Sequence, residues 1–360
     1  MPISAIDSIT PAFHHTKQQL LQPFRVAQWA KLALVGFLAG EMTSGGCSTP
    51  NFNIPAHTGG THRFLSLGFP VIDPMLYAGL IAILIVAGLV LFVLFLYVSS
   101  VMRFVLFDSV IAKRCEIAKR WRHRNRAGMR YFVWQLLFSF VTMAALAILI
   151  GIPAAFAFAA GWFTHARDHA IAFVLGGIVL FFVFLAWMLL ALIVQVLTKD
   201  FVVPQMALED LGPIQAWRRL LPMIQSEIGG YAAYLGMKLV MNLGAAMVLA
   251  IVSMIAILAM LIPVGGIGVV AVLIGKTAGL TWNLYTISGT VVIGCILVAL
   301  ILYVISLISV PATVFFPAYS IYFFASRYPR LAELLYPPAA EPAFPSPQVP
   351  PFLPPPEPAV

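Results

Sequence analysis

The residues able to do chemistry in this chain are few, and the most isolated of them is Lys238. It stands about nine residues past Gly229, inside a stretch otherwise free of charge. At 1.5 Å per residue a helix would carry it about 13 Å inward. An ionisable group at such a depth faces a partner or a cavity. Asp200 is available as that partner, and Asn242 follows one helical turn later on the same face. Lys238, Asn242 and Asp200 therefore form a candidate intramembrane polar site. The other reading is a lysine that snorkels to the near interface and anchors its helix there.

A second set lies in residues 113–130, which hold eight Lys and Arg against one acid, Glu116. Val110, Ile117 and Trp121 fall near one face of a helix here, leaving Arg114, Lys119, Arg122 and Arg126 outward. Such a cluster attracts anionic headgroups at roughly 1 kcal/mol per charge, so these four are candidate anionic-lipid contacts. A topology signal alone would also account for the run. His165 and His169 are one turn apart with Asp168 between them, and His57 and His62 occupy another polar stretch. Imidazole and carboxylate suit zinc or nickel, but a lone His-x-x-x-His pair in a short connection is a weak signal. No metal and no cofactor is expected. Cys47, Cys115 and Cys295 are too far apart for a disulfide framework or a zinc spacing. The water-exposed segments show no Ser-His-Asp order, phosphate-cradling glycine loop or paired catalytic carboxylates. The glycines of Pro263-Val-Gly-Gly-Ile-Gly268 follow a helix-length apolar run, which reads as a turn between helices. The chain is expected not to be an enzyme.

The elements that must position these residues follow from composition. Of 360 residues, 61% are hydrophobic and 9% charged, against about 45–50% and about 25% in soluble domains. That balance excludes a soluble globular protein, and for most of the chain it excludes disorder. The fold class is all-α: an integral membrane bundle of about six transmembrane helices with interfacial helices on the cytoplasmic side. Uncharged runs at 74–102, 131–166, 169–198, 239–275 and 277–326 are each long enough to span. The weaker run 26–42, with Gln28, Lys31 and Glu41, completes six, a re-entrant or surface helix being its alternative. Counted over the resulting loops, 17 Lys and Arg lie on one side against three on the other. By the positive-inside rule both termini are cytoplasmic, in the inner (plasma) membrane of a prokaryote. The same bias accounts for the net charge of +8 without nucleic acid.

Three regions result. Residues 1–25 form an amphipathic segment that starts a helix at Thr10-Pro11 and carries Phe13, Leu20, Leu21 and Phe24. Residues 26–336 form the membrane domain. Residues 337–360, with 11 prolines, form a disordered Pro-rich cytoplasmic tail. Small residues such as Gly244-Ala245-Ala246 and Gly265-Gly266 are expected to let the spans pack closely.

The chain also repeats itself. At an offset of 96 residues, Met102-Arg-Phe-Val-Leu-Phe-Asp108 aligns with Thr198-Lys-Asp-Phe-Val-Val-Pro204, and Trp121-Arg122 falls on Trp217-Arg218. A third copy starts at Val314-Phe-Phe-Pro317. The fold is read as helical hairpins joined by interfacial helices, each with a Trp-Arg anchor at headgroup level.

Asp200-Phe-Val-Val-Pro204, Ala216-Trp217-Arg218-Arg219, Gly229-Gly230-Tyr231, and Pro23-Phe24-Arg25 ahead of Trp29-Ala-Lys31-Leu carry a family resemblance. Over most of residues 5–330 the chain resembles uncharacterised prokaryotic multi-pass proteins related to the membrane domain of glycerophosphoryl diester phosphodiesterases. In the full enzymes a separate hydrolase domain opens with His-Arg-Gly; here His62-Arg63 precedes Phe64 and His123-Arg124 precedes Asn125. The resemblance thus implies a membrane module without its catalytic partner. The expected function is a non-catalytic, lipid-contacting scaffold or accessory module. Its partners would be membrane lipids with anionic headgroups and an unidentified membrane protein. A small transporter or channel built around Lys238 is the alternative.

Overall fold

The computed structural model describes residues 3–22, 24–41, 74–162, 170–277 and 284–336. Among them every regular element is helical. In chain order these are α1 (Ile9–Leu21), α2 (Val26–Leu38), α3 (Pro74–Ile111), α4 (Ile117–Ala159) and α5 (Ala170–Leu197). A π-helical turn (Thr198–Val202) leads into α6 (Val203–Glu209), followed by α7 (Pro213–Ser226), α8 (Ile228–Thr277), α9 (Leu284–Ala325) and α10 (Pro329–Leu335). The Pro-rich segment 337–360 and the stretch holding His57 and His62 lie outside the described residues, as do His165, Asp168 and His169.

Among the described residues five helices, α3, α4, α5, α8 and α9, are long and apolar enough to cross a membrane. Run 26–42 differs from the expectation of a sixth. α2 has 13 residues, about 20 Å at 1.5 Å each, short of the roughly 30 Å hydrocarbon core. Its end is built in: Gly40 takes φ +74°, the Gly40 N–H donates to the Phe37 carbonyl, and the Glu41 N–H donates to the Gly36 carbonyl. That is the left-handed glycine termination of a helix, and Gly161 closes α4 the same way. The segment Pro263 to Gly268 differs too. It lies within α8 rather than in a turn, as expected where lipid-facing backbone can satisfy its polar groups only by staying helical. Pro311 and Pro317 sit inside α9.

The buried core occupies one end of the molecule. Phe104, Tyr131, Phe201, Tyr234, Tyr319, Phe323 and Phe324 are fully enclosed there. They come from the last turns of α3 and α9, the basic start of α4, the π turn and the start of α8. We call this end the cap. In contrast, no residue in the most apolar stretch of α3, α4, α5 or α8 is buried by protein; Ile83, Phe140, Phe158 and Ile171 stand bare. The glycine-mediated packing expected of the spans is absent at the named sites. A Cβ on Gly244, Gly265 or Gly266 would meet nothing within 4 Å. The spans diverge there, so smallness buys no contact.

Close approach occurs in the cap instead. A Cβ on Gly128 in α4 would lie 2.6 Å from Val101 Cγ2 and 3.0 Å from Val101 Cα of α3. Because one of those atoms is backbone, the α3–α4 hairpin must open to admit it. Gly128→Ala is therefore expected to cost about 1–3 kcal/mol, read as a lower thermal unfolding midpoint in detergent. Gly244→Ala is the control: with open space around it, removing a mid-helix glycine should be neutral or gain up to about 1 kcal/mol. Equal effects at the two positions would overturn the hairpin contact.

The first helix turns its polar side inward. His15, Thr16 and Gln19 are buried with Ala12 and Leu20, whereas Phe13 and Leu21 of α1, and Phe24 beyond it, are exposed. His15 Nε2–H donates to the Val110 carbonyl at 2.8 Å, so Nδ1 is left to accept from the Tyr322 hydroxyl at 3.2 Å. Burial holds the His15 pKa below the usual histidine value, which keeps this tautomer neutral. Gln19 donates to the Ser109 carbonyl. α1 thereby ties the ends of α3 and α9 together while showing apolar side chains outward.

Candidate functional site

Five ionised side chains meet inside the cap. Arg103 comes from α3, two turns before its end, and Glu41 follows the turn after α2. Lys199 and Asp200 come from the π turn, and Lys238 from the third turn of α8. The π turn has a local cause. Pro204 has no N–H, and in a regular helix its ring would press on the carbonyl four residues back, that of Asp200. The turn widens just before it, with the Val203 N–H donating to the Thr198 carbonyl five residues back. Such widened turns recur at functional sites. Here the widening sends two adjacent residues of opposite charge to different partners.

The Lys238 ammonium donates to Asp200 Oδ2, which also accepts from the Tyr234 hydroxyl at 2.9 Å. The Lys199 ammonium donates to Glu41 Oε2. Arg103 donates from Nη1 to the Tyr131 hydroxyl and from Nη2 to the Ala39 carbonyl at 3.1 Å, with its guanidinium 5.4 Å from the Tyr131 ring centre. Lys238 is 5% exposed, Asp200 4%, Glu41 5% and Arg103 8%. Charges this deep persist only when paired and hydrogen-bonded, because desolvation of either partner alone costs several kcal/mol. All five line one partly open cavity of about 30 Å³, walled also by Phe316, Pro317 and Ser320 of α9. That is about twice the room a single water needs.

The repeat converges on this cavity. Arg103 and Lys199 are equivalent positions at the 96-residue offset, as are Phe107 and Val203. Phe316-Pro317 matches Val203-Pro204, and all seven residues line the same space. Trp121 and Trp217, equivalent at the same offset, both pack partly buried against the core.

Of the residues singled out from the sequence, Lys238 and Asp200 are brought together. The lysine does not snorkel, since its ammonium is enclosed and bonded to the carboxylate. Asn242 is not part of the cavity wall; its Oδ1 is buried without a hydrogen-bond partner among the described residues. Arg114, Lys119, Arg122 and Arg126 are all exposed. Their neighbours are engaged elsewhere. Arg124 holds Asp108 with two bonds of 2.8 and 2.9 Å, and Arg130 meets Asp210 at 3.1 Å. At the far edge of the cap Arg327 grips Glu227 with two bonds of 2.8 and 2.7 Å, and those hydrogen bonds hold the Glu227 carboxyl below its usual pKa.

In the sequence Glu41 is a polar residue in the apolar run 26–42, and Arg103 and Lys199 directly follow the uncharged runs 74–102 and 169–198. Glu41 and Arg103 are buried members of the cluster and Lys199 a half-buried one. The signals were present: a glutamate closing an apolar helix needs a cation, and the repeat places one basic residue at the same point of two copies.

Five long apolar helices closed at one end by a polar cap define the class of molecule, a helical membrane protein. Within that class the chain belongs to the Family of unknown function (DUF7544), whose model matches residues 3–334. No curated protein and no solved structure matches it. Nothing in these comparisons links it to the glycerophosphoryl diester phosphodiesterases.

Proposed function

We propose that this is a non-catalytic, multi-pass protein of the prokaryotic cytoplasmic membrane, a lipid-contacting scaffold or accessory module that holds anionic headgroups on its basic α3–α4 turn. The observation that carries the reading is that Arg114, Lys119, Arg122 and Arg126 are exposed and make no salt bridge among the described residues, while Arg120, Arg124 and Arg130 beside them do. Positive charge left unpaired at a membrane surface attracts acidic lipid. The outward Phe13, Leu21 and Phe24 support an α1 that lies in the headgroup region. α1 and α10 both belong to the basic end, which by the positive-inside rule faces the cytoplasm. The bare faces of the spans leave room for lipid and for a membrane-protein partner. Against the transporter reading, the intramembrane charges are bonded to one another.

The test is native mass spectrometry of the full chain, beside a variant with Arg114, Lys119, Arg122 and Arg126 changed to Gln. The wild type should retain phosphatidylglycerol in preference to phosphatidylcholine. At about 1 kcal/mol per charge, the variant should lose that preference by as much as roughly a thousandfold. An equal preference in both proteins, or none in the wild type, would overturn the reading.

A further inference from the structure

We propose that the cap cavity is an anion site that takes a phosphate group, held by Arg103, Lys199 and Lys238. The inference goes beyond the lipid reading of the exposed loop and does not depend on it. Among the described residues three cations against two carboxylates leave one positive charge in surplus around this partly open cavity. A buried charge without a counter-charge is among the costliest arrangements a fold can hold, and a bound anion cancels it.

Donor capacity agrees with the charge. Each lysine has three N–H groups, yet Lys199 and Lys238 spend one apiece on Glu41 and Asp200. Arg103, which lines this cavity and is more than nine-tenths buried, has its Nε without a hydrogen-bond partner among the described residues. Ser320 donates its one hydroxyl proton to the Pro317 carbonyl, so the donors left for an anion are those of the cations. Surplus N–H donors of three cations around a small space match the several acceptor oxygens of a phosphate, with a guanidinium suited to two of them. The cavity sits at the basic end of the spans, where a lipid phosphate and free phosphate are both at hand. The chemistry is the same for either source.

The experiment is isothermal titration calorimetry on the full chain, delipidated in detergent and in chloride-free buffer. One arm uses sodium phosphate and the other dihexanoyl phosphatidylglycerol. Heat in the first arm identifies free phosphate as a ligand, and heat in the second alone identifies a headgroup. Arg103→Gln removes the surplus charge and should weaken binding by roughly tenfold or more. Asp200→Asn raises the surplus to two and should tighten it, which keeps the test decisive where Arg103→Gln fails to fold. The loop variant lacking Arg114, Lys119, Arg122 and Arg126 should bind phosphate as the wild type does. No heat in either arm, no tightening in Asp200→Asn, or loss of phosphate binding in the loop variant would overturn the site.

Discussion

Asp200→Leu is expected to lose about 3–5 kcal/mol of stability, the cost of leaving a buried charge without its partner. Asp200 Oδ2 accepts from both the Lys238 ammonium and the Tyr234 hydroxyl. Its removal strands two donors where water has little access, and it raises the positive surplus of the cavity. Lys238→Met should cost a similar amount by stranding the carboxylate. The double variant Asp200→Leu, Lys238→Met should recover most of the loss, because an apolar pair of similar volume often replaces a buried ion pair at little cost. Thermal unfolding of the four proteins in one detergent measures the coupling. Simple additivity of the two losses would show that the residues do not act as a pair.

The second large effect is expected at Phe201. Its ring centre lies 5.3 Å from that of Tyr231, 5.1 Å from Tyr234, 6.0 Å from Phe323 and 5.1 Å from Phe324. It joins the π turn to α8 and α9 with none of its surface exposed. Phe201→Ala removes aromatic contacts on several sides and leaves a cavity that the three elements cannot collapse without moving the neighbouring charges, so a loss of about 3–5 kcal/mol follows. Phe140→Ala is the comparison. Phe140 is 70% exposed and packs on detergent or lipid, so its loss should fall within about 1 kcal/mol. If the two variants unfold at the same temperature, the cap is not where stability resides.

How much of this was legible in the sequence depends on the scale at which pattern is set. The spans were readable because twenty-odd residues without charge have few ways to exist in water. The short α2 was not, because hydropathy counts Glu41 as a blemish in a span, whereas Arg103 and Lys199 make it the end of a buried helix. Lys238 and Asp200 could be matched as an isolated charge within a span and an acid at the end of the span before it. Arg103 and Lys199 sit beside abundant loop arginines, and only depth separates them from those neighbours. Depth depends on where each helix crosses the cap, which no local window records. The glycine expectation failed for a related reason. A small residue permits close packing, but whether another helix arrives is decided by the connections at the cap.

The contacts of α1 and of the residues just before it also set an order of assembly. The Tyr319 hydroxyl donates to the Ala5 carbonyl, Arg327 donates to the Ile3 carbonyl, and His15 meets Tyr322 across 307 residues of chain. A ribosome adding about 5–20 residues per second needs roughly 15–60 s to cover that interval. Through that time the first helix has its polar face made and its last partner unmade. The earlier spans can enter the bilayer one by one, since each satisfies its own backbone. The charges on the π turn and at the start of α8 must nevertheless wait beside the membrane until α9 arrives to enclose them. Closure of the cap is therefore a late, chain-spanning event, and a chaperone or insertase that shields the waiting charges would act in that interval.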